Sequence, residues 1–160
     1  MGKYKNTNLS KAKQDKNDEF YTKYSDIEKE MSAYFEYDKK AFKDKTIFLP
    51  CDDPAWSNFT KFFIDNFQKF SLKKLISTCI AKPSELEGGV VNGKILTIDK
   101  SDFKYDNLLK ETKDIKTSKW KYLNGNGDFR TDEITALRDE ADIIITNPPF
   151  SIFREFFDWV

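Results

Sequence analysis

Histidine is absent from this 160-residue chain, and cysteine occurs only twice, at Cys51 and Cys79. The lack of histidine excludes a zinc site of the Cys/His type and any mechanism that needs an imidazole base. Two cysteines are too few for a disulfide framework. We expect both to be small buried residues rather than nucleophiles, and we expect no metal requirement.

Net charge and long apolar runs are also lacking. Lysine plus arginine total 27 and aspartate plus glutamate total 27, so the formal net charge is zero. No overall basic field therefore indicates a nucleic-acid partner, and any site for a polyanion has to be local. No segment resembles a signal peptide or a membrane-spanning helix, so we expect a cytoplasmic protein without membrane contact.

The chain does contain enough apolar material for the core of one domain. Apolar residues make up 39% of the sequence, and it includes 15 phenylalanines. Residues 1–16 differ from the rest, because five lysines are accompanied there by a single acid, Asp15. We interpret this segment as a flexible basic arm, with a local polyanion site as the alternative. The domain then occupies residues 17–160.

Helical and strand-like segments alternate along this domain. Strands are predicted at "KTIFLP", "LKKLISTCIA", "WKYLNGNGDF" and "DIIIT", and a hairpin turning at Asn92-Gly93 is predicted within "ELEGGVVNGKILTID". Helices are predicted within "DEFYTKYSDIEKEMSAYFEYDKKAF", within "AWSNFTKFFIDNFQKF" after a Ser57 cap, at "TDEITALRDEA" and at "SIFREFFDWV". The last helix has one apolar stripe, formed by Phe153, Phe156, Phe157 and Val160. This order predicts an α/β fold with a doubly wound, largely parallel sheet.

Three unusual loops follow predicted strands, namely "PCDDP", "NGNGDF" and "NPPF". In a doubly wound sheet, ligands bind outside the carboxyl ends of the strands. Each loop on its own is also compatible with an ordinary structural turn. Together the three loops favour one functional site.

The tetrapeptide Asn147-Pro148-Pro149-Phe150 suits the binding of a planar aromatic amine. The Asn147 amide oxygen and the Pro148 carbonyl are two acceptors that can converge on one amino group. The prolines fix the backbone, so these acceptors are in position before a substrate arrives. Phe150 adds a flat face for stacking on a base. Two acceptors favour a pyramidal amine nitrogen, which returns its lone pair from the ring to the reaction.

These residues resemble known methyltransferase motifs. "NPPF" after an apolar strand is similar to the Asp/Asn-Pro-Pro-Tyr/Phe motif of S-adenosylmethionine-dependent amino methyltransferases, which glutamine and RNA methyltransferases share. "NDEFYTKYSDIEKEM" resembles the N-terminal cofactor motif of adenine-specific DNA methyltransferases. With "FLPCDDPAWSNFTKFF" and "LNGNGDFR" in the same order, the chain from about residue 17 onward resembles the EcoRI-type adenine-specific DNA methyltransferase family.

The resemblance implies a Rossmann-like S-adenosylmethionine-dependent methyltransferase sheet that ends after its fourth strand. The implied reaction transfers a methyl group to the exocyclic amino group of adenine in double-stranded DNA, as part of a restriction-modification system. The adenine would be flipped out of the duplex onto Phe150. The alternatives are a methyltransferase for RNA, protein glutamine or a small molecule, and an inactive cofactor-binding remnant.

The resemblance also assigns roles to residues. The sequence departs from the general methyltransferase pattern, because no glycine-rich loop follows the first strand and no acid follows the second. Glu85 is the weak substitute for the acid that binds the ribose hydroxyls, and Asp52 is preferred to Asp53 for the cofactor's ammonium group. The implied catalytic residues are Asn147, Pro148, Pro149 and Phe150. The implied cofactor-binding residues are Phe20, Tyr21, Thr22, Pro50, Cys51, Asp52, Asp53, Asp128 and Phe129, of which Asp128 binds the adenine amino group and Phe129 packs on its ring.

The motif order leaves no space for a target-recognition region before residue 160, and the family's sheet normally continues past the catalytic loop. We therefore expect residues 17–160 to form a partial catalytic domain from which the target-recognition region is absent. Sequence-specific methylation would then need a C-terminal region or a partner chain.

Overall fold

The computed structural model describes residues 22–81, 92–103 and 119–160. Their α-helices are α1 (Tyr24–Tyr37), α2 (Asn58–Asp65), α3 (Asp132–Glu140) and α4 (Phe153–Trp159). Their strands are β1 (Thr46–Leu49), β2 (Lys74–Cys79), β3 (Lys94–Asp99), β4 (Lys121–Tyr122) and β5 (Ile143–Ile144). Short 3₁₀ helices occupy Lys100–Phe103 and Phe150–Ile152. No helix in these ranges combines the length and apolar character that crossing a membrane requires.

The strands form one open five-stranded sheet in the order β4-β3-β2-β1-β5. β1 lies between β2 and β5 and is parallel to both, so the predicted parallel arrangement is correct for these three strands. β3 runs antiparallel to β2, and β4 runs antiparallel to β3. The sheet is therefore mixed, and the prediction of a largely parallel sheet was wrong. It has five strands rather than the four after which the resemblance had it end, because the second part of the predicted hairpin segment forms β3.

The direction of β3 follows from how the chain reaches it. A parallel neighbour needs a crossover, usually a helix, whereas a chain that turns back alongside its predecessor gives an antiparallel pair. The sequence between β2 and β3 has no helical pattern, which agrees with the antiparallel pair. The tight hairpin predicted at Asn92-Gly93 was wrong, because Lys94 and Ile95 are paired with β2 on one side and with β4 on the other, which leaves no side of β3 for residues 85–91 at this turn.

β1 is the centre of the fold, and all four of its residues are buried. Successive strand side chains point to opposite faces of a sheet. Ile47 and Leu49 accordingly pack in the core that α1 and α2 cover, and Phe48 packs in the core that α3 and α4 cover. The first core contains Ile27, Phe62 and Phe63, and the second contains Phe129, Ile134 and Phe156. Helices therefore cover both faces, as in the predicted α/β class.

α2 begins where the sequence predicts, after Ser57. The Ser57 hydroxyl accepts hydrogen bonds from the backbone N–H groups of Phe59 and Thr60, at 3.1 and 3.4 Å. Such a cap satisfies donors that the first helical turn leaves unpaired. The phenylalanines of the following segment then face the core, with Phe62, Phe63, Phe67 and Phe70 buried.

The apolar stripe predicted for α4 is divided in the structure. Phe156 is buried against Phe129, and the Trp159 ring packs beside them. The other residues of the stripe point to solvent, with Phe153, Phe157 and Val160 being 51, 71 and 56% exposed. Trp159 was not in the predicted stripe, and its large ring decides which side of the helix faces the core.

Candidate active site

The three loops singled out in the sequence meet in one cleft of about 340 Å³ beyond the carboxyl ends of β1 and β5. Thr22 adds a fourth segment to its wall. These segments come from distant parts of the chain. The loops after β1 and β5 reach the same edge because these two strands are parallel neighbours. The lining residues used below are Thr22, Pro50, Cys51, Asp52, Asp53, Asn58, Cys79, Asp128, Phe129, Arg130, Asn147 and Pro149.

The loop after β1 is held by buried hydrogen bonds to its neighbours. The Asp52 backbone donates to the Thr78 carbonyl at 3.0 Å and accepts from the Ser77 hydroxyl at 2.6 Å. Both Asp52 carboxylate oxygens accept from hydroxyls, Oδ1 from Ser57 at 2.7 Å and Oδ2 from Thr146 at 2.9 Å. Burial raises the pKa of Asp52 to about 6, against the lowering effect of these two hydrogen bonds. Asp52 is therefore an ionised but desolvated group near neutral pH.

Asp53 brings a second carboxylate to the same loop. Its Oδ1 accepts from the Ala55 backbone at 2.8 Å. Its Oδ2 lies 3.9 Å from the Lys94 ammonium, and within the described residues this buried oxygen has no hydrogen-bond partner. The cleft therefore contains two buried acids with different surroundings.

Neither cysteine is activated. Burial is the main cause that raises the pKa of Cys51 and of Cys79 to about 12, and the carboxylates of Asp52 and Asp53 add to it. A thiolate is the reactive form of cysteine, and it is scarce at such values near neutral pH. Cys79 is buried as expected, whereas Cys51 is only partly buried, and the raised pKa values agree with the expectation that neither residue is a nucleophile.

The "NGNGD" loop is shaped by close backbone contacts at Gly127. This residue has φ +81°, and a Cβ there would lie 2.3 Å from the Cys79 carbonyl oxygen. The Ala81 N–H donates to the Asn126 carbonyl at 2.8 Å, which joins the loop to the end of β2. Only glycine fits this contact, and the contact places the next residue, Asp128, in the cleft wall.

Asp128 forms a bidentate ion pair with Arg130. Arg130 Nε donates to Oδ1 at 2.9 Å and Nη2 donates to Oδ2 at 2.6 Å, and this pairing lowers the pKa of Asp128. Arg130 also donates through Nη1 to Glu155 of α4 at 2.9 Å. Phe129 lines the cleft but is only 4% exposed, because Phe156 and Trp159 cover it.

The last loop begins with Asn147, whose side-chain amide donates to the Thr22 hydroxyl at 3.4 Å. The Thr22 carbonyl in turn accepts from the Asn58 side chain at 3.0 Å. Pro149 lines the cleft, Pro148 is partly buried, and Phe150 is 64% exposed. Phe20, Tyr21 and Glu85 lie outside the described residues.

The sequence reasoning did not identify three polar residues of this site, namely Asn58, Arg130 and Thr146. Arg130 had a usable signal, since it stands two residues after an acid in a turn. Asn58 and Thr146 had none, because their partners are 36 and 94 residues away in the chain.

Comparisons with known proteins agree on one family. The family described as Adenine-specific methyltransferase EcoRI matches residues 8–160. Type II methyltransferase M.EcoRI of Escherichia coli is 42% identical over 94% of this chain and 44% of its own length. Type II methyltransferase M.MgeORF184P of Mycoplasma genitalium is 36% identical over 94% of this chain and 39% of its own length. Type II methyltransferase M.MpnI of Mycoplasma pneumoniae is 35% identical over 92% and 38%, respectively.

No solved structure matches the chain. The chain spans about two fifths of the length of these curated relatives. The family match includes all the segments that line the cleft. From this match and these identities, the chain belongs to the EcoRI family of adenine-specific methyltransferases.

Proposed function

We propose that this chain is the cofactor-binding and catalytic-motif portion of a site-specific DNA adenine methyltransferase in a restriction-modification system. The reaction transfers a methyl group from S-adenosylmethionine to the exocyclic amino group of adenine in double-stranded DNA. The cleft carries the proposal, because it joins the Asn-Pro-Pro-Phe turn to acidic loops and to Thr22, which is 125 residues before Asn147. The curated relatives are named Type II methyltransferases and the matching family is described as adenine-specific, which supports methyl transfer to adenine as the activity.

The residues of the cleft fit S-adenosylmethionine, whose sulfonium and ammonium groups are both cationic. A volume of about 340 Å³ is within the usual range of small-molecule sites. Three carboxylates, Asp52, Asp53 and Asp128, line the cleft and favour cations. When bound, the cofactor supplies an electrophilic methyl group. The mixed five-stranded sheet is proposed to belong to a Rossmann-like methyltransferase domain.

Each wall of the cleft is proposed to hold a different part of the cofactor. Phe20, Tyr21 and Thr22 hold the methionine end, and the Pro50–Asp53 loop adds backbone contacts and negative charge near the ammonium group. Asp128 accepts from the adenine amino group, and Phe129 packs against the adenine ring. Asp128 Oδ2 accepts one hydrogen bond within the described residues, from Arg130, and a carboxylate oxygen can accept two.

Asn147 and Pro148 are proposed to bind the amino group of the target adenine. Their two oxygens accept its hydrogens, which favours a pyramidal nitrogen with an available lone pair. Phe150 is exposed enough to stack on an adenine flipped out of the duplex. Positioning of the base supplies most of the rate, and no basic side chain is needed for the attack.

Cofactor binding is tested by calorimetry with S-adenosylmethionine. Asp128→Asn removes the charge and one acceptor from the cleft, and we expect it to weaken binding at least about tenfold. Asp158→Asn is the matched control, because Asp158 is an exposed acid on α4 that does not line the cleft. Equal affinities for the wild type and Asp128→Asn would contradict the assignment of Asp128.

Methyl transfer is tested with labelled S-adenosylmethionine and an adenine-containing duplex. Asn147→Ala removes one of the two amine acceptors, and we expect a loss of about a hundredfold or more in kcat with little change in cofactor affinity. RNA, glutamine peptides and small amines are assayed in parallel. Transfer only to one of those substrates, or cofactor binding without any transfer when the C-terminal region or partner chain is also present, would overturn the DNA assignment.

The chain covers only about two fifths of the length of its curated relatives, and this supports a further part of the proposal. Target recognition and DNA binding are proposed to need polypeptide beyond residues 17–160, from a C-terminal region or a partner chain. The assay is therefore run on these 160 residues alone and with the following part of the reading frame. We expect sequence-specific methylation only in the second case. We propose that the enzyme acts in the cytoplasm of the host cell.

A further inference from the structure

The loop that carries Asn147 is tied to the loop after β1 by one buried carboxylate. Asp52 is only 6% exposed, and its two oxygens accept from the hydroxyls of Ser57 and Thr146 at 2.7 and 2.9 Å. Thr146 immediately precedes Asn147 in the chain. Asp52 therefore contacts the residue next to the proposed catalytic asparagine.

Asp52 is itself firmly held. Its backbone is bonded to Thr78 and Ser77 of β2, at 3.0 and 2.6 Å. Its other side-chain partner, Ser57, caps the first turn of α2. The carboxylate is therefore fixed to the central sheet and to a helix end, and it can hold a less constrained segment in place.

The segment after β5 is less constrained than the strand. The Ile145 N–H donates to the Phe48 carbonyl at 3.0 Å, and this is the last backbone hydrogen bond between β5 and β1 in the described part of the chain. Pro148 and Pro149 have no N–H with which to extend the pairing. Side-chain contacts therefore help to locate the start of this segment, and the Thr146–Asp52 hydrogen bond, at 2.9 Å, is shorter than the Asn147–Thr22 hydrogen bond, at 3.4 Å.

We propose that Asp52 is a positioning residue for the methyl-transfer site, which holds Thr146 and through it sets the position of the Asn147 amide oxygen. This inference rests on the proposed function, in which Asn147 binds the target amine. It gives Asp52 a role in the turnover step that differs from direct pairing with the cofactor's ammonium group.

The two roles make different demands on residue 52. An ammonium partner has to be negatively charged, whereas a positioning residue has to keep two hydrogen bonds. Serine and threonine hydroxyls both donate and accept, so an asparagine at this position can accept from one and donate to the other. Asp52→Asn therefore separates the two roles, and Asp52→Ala abolishes both.

The test measures cofactor Kd, kcat for methyl transfer, and backbone hydrogen exchange at Asn147 and Phe150 in the protein together with its C-terminal region. Thr146→Val removes the hydroxyl at nearly constant volume, and we expect kcat to fall about 10- to 100-fold with Kd changed less than about threefold. Exchange at the two amides should accelerate at least about tenfold in Thr146→Val and Asp52→Ala. Thr146→Ser keeps the hydroxyl and should give kcat and exchange rates near those of the wild type, whereas Asp52→Asn keeps both hydrogen bonds and should retain the wild-type exchange rates.

Thr97→Val is the matched control, because Thr97 is exposed on β3 and away from the cleft. Wild-type kcat and exchange in Thr146→Val would overturn the inference, even if Asp52→Ala fails to fold. A tenfold or larger loss of cofactor affinity in Asp52→Asn, together with wild-type exchange in Thr146→Val and Asp52→Ala, would make Asp52 the charge partner instead of a positioning residue. If the wild type transfers no methyl group but exchange responds as expected, the proposed function fails and the positioning role of Asp52 stands.

Discussion

Asp52 is ionised near neutral pH although protein atoms exclude most water from it. Burial raises its pKa to about 6, above the value of 3.8 usual for an aspartate. The folded chain therefore binds this proton more tightly than the unfolded chain does. The resulting stabilisation is fully present below the unfolded pKa and is lost as the pH rises through about 6.

Asp52→Asn removes this pH dependence, because asparagine does not titrate. We expect the unfolding free energy of the variant, relative to the wild type, to rise by about 2 kcal/mol between about pH 4 and pH 8. Urea unfolding at the two pH values measures the difference. The same comparison for Asp158→Asn, which changes an exposed acid, should be nearly independent of pH. A constant or falling difference for Asp52→Asn would contradict the raised pKa.

Gly127 is a residue where the backbone itself excludes any side chain. Its φ is +81°, and a Cβ at this position would lie only 2.3 Å from the Cys79 carbonyl oxygen. We expect Gly127→Ala to lower the unfolding free energy by more than about 2 kcal/mol and to weaken cofactor binding, because the loop has to move.

Gly125→Ala is the matched control for this prediction in the same loop. A Cβ at Gly125 would approach only the end of the flexible Glu133 side chain, at 3.2 Å. Thermal unfolding and calorimetry compare the two variants. Similar stabilities for Gly127→Ala and Gly125→Ala would show that the loop tolerates a side chain at both positions.

At the scale of elements, α4 shows how a short helix is held on the domain. Its buried face consists of Phe156 and Trp159, which pack against Phe129 of the "NGNGDF" loop. Arg130 adds a link from the same loop to Glu155. The helix after the catalytic turn is therefore attached to the proposed adenine-binding loop.

Phe156→Ala and Phe157→Ala compare the two faces of α4 directly. Phe156 is 5% exposed, so we expect its truncation to cost about 3 kcal/mol of unfolding free energy. Phe157 is 71% exposed, and its truncation should change stability by less than about 0.5 kcal/mol. Urea unfolding of both variants gives the values. A larger loss for Phe157→Ala would support the single stripe expected from the sequence.

At the scale of the whole molecule, β5 lies at an edge of the described sheet, where a strand of another chain can pair with it. Within the described residues β5 pairs with β1 on one side only, and apolar strand edges recruit other chains. Phe153, Phe157 and Val160 on α4 add exposed apolar surface. We expect these 160 residues, when expressed alone, to dimerise or aggregate, and to do so less when the C-terminal region covers this side.

Light scattering over a concentration series tests this expectation. Replacing Phe153 and Phe157 together by serine should reduce the association, whereas Tyr37→Ser should not. Tyr37 is the matched control, because it is 92% exposed at the end of α1. A wild-type chain that stays monomeric at high concentration would show that its own helices protect this edge.

The sequence predicted the local features of the cleft well. The Ser57 cap and the buried strand β1 depend on neighbouring residues, so their patterns are readable in the chain. The meeting of the loops after β1 and β5 followed from the strand–helix alternation. The "NGNGDF" loop reaches the same edge for a different reason, because two antiparallel pairings give β4 the direction of β1. The roles of Asp128, Phe129 and Asn147 in binding stay predictions, because no ligand contact tests them.

Contacts between distant residues were decided by the tertiary structure alone. The antiparallel direction of β3 depends on which strand edge the returning chain meets, and the buried face of α4 depends on how Phe156 and Trp159 fit around Phe129. The Thr146–Asp52 bond joins residues 94 positions apart, and its formation requires β5 to pair beside β1. Local sequence determined the residue types and turns available to this protein, whereas packing across the sheet decided which of them meet, because that choice depends on the whole core.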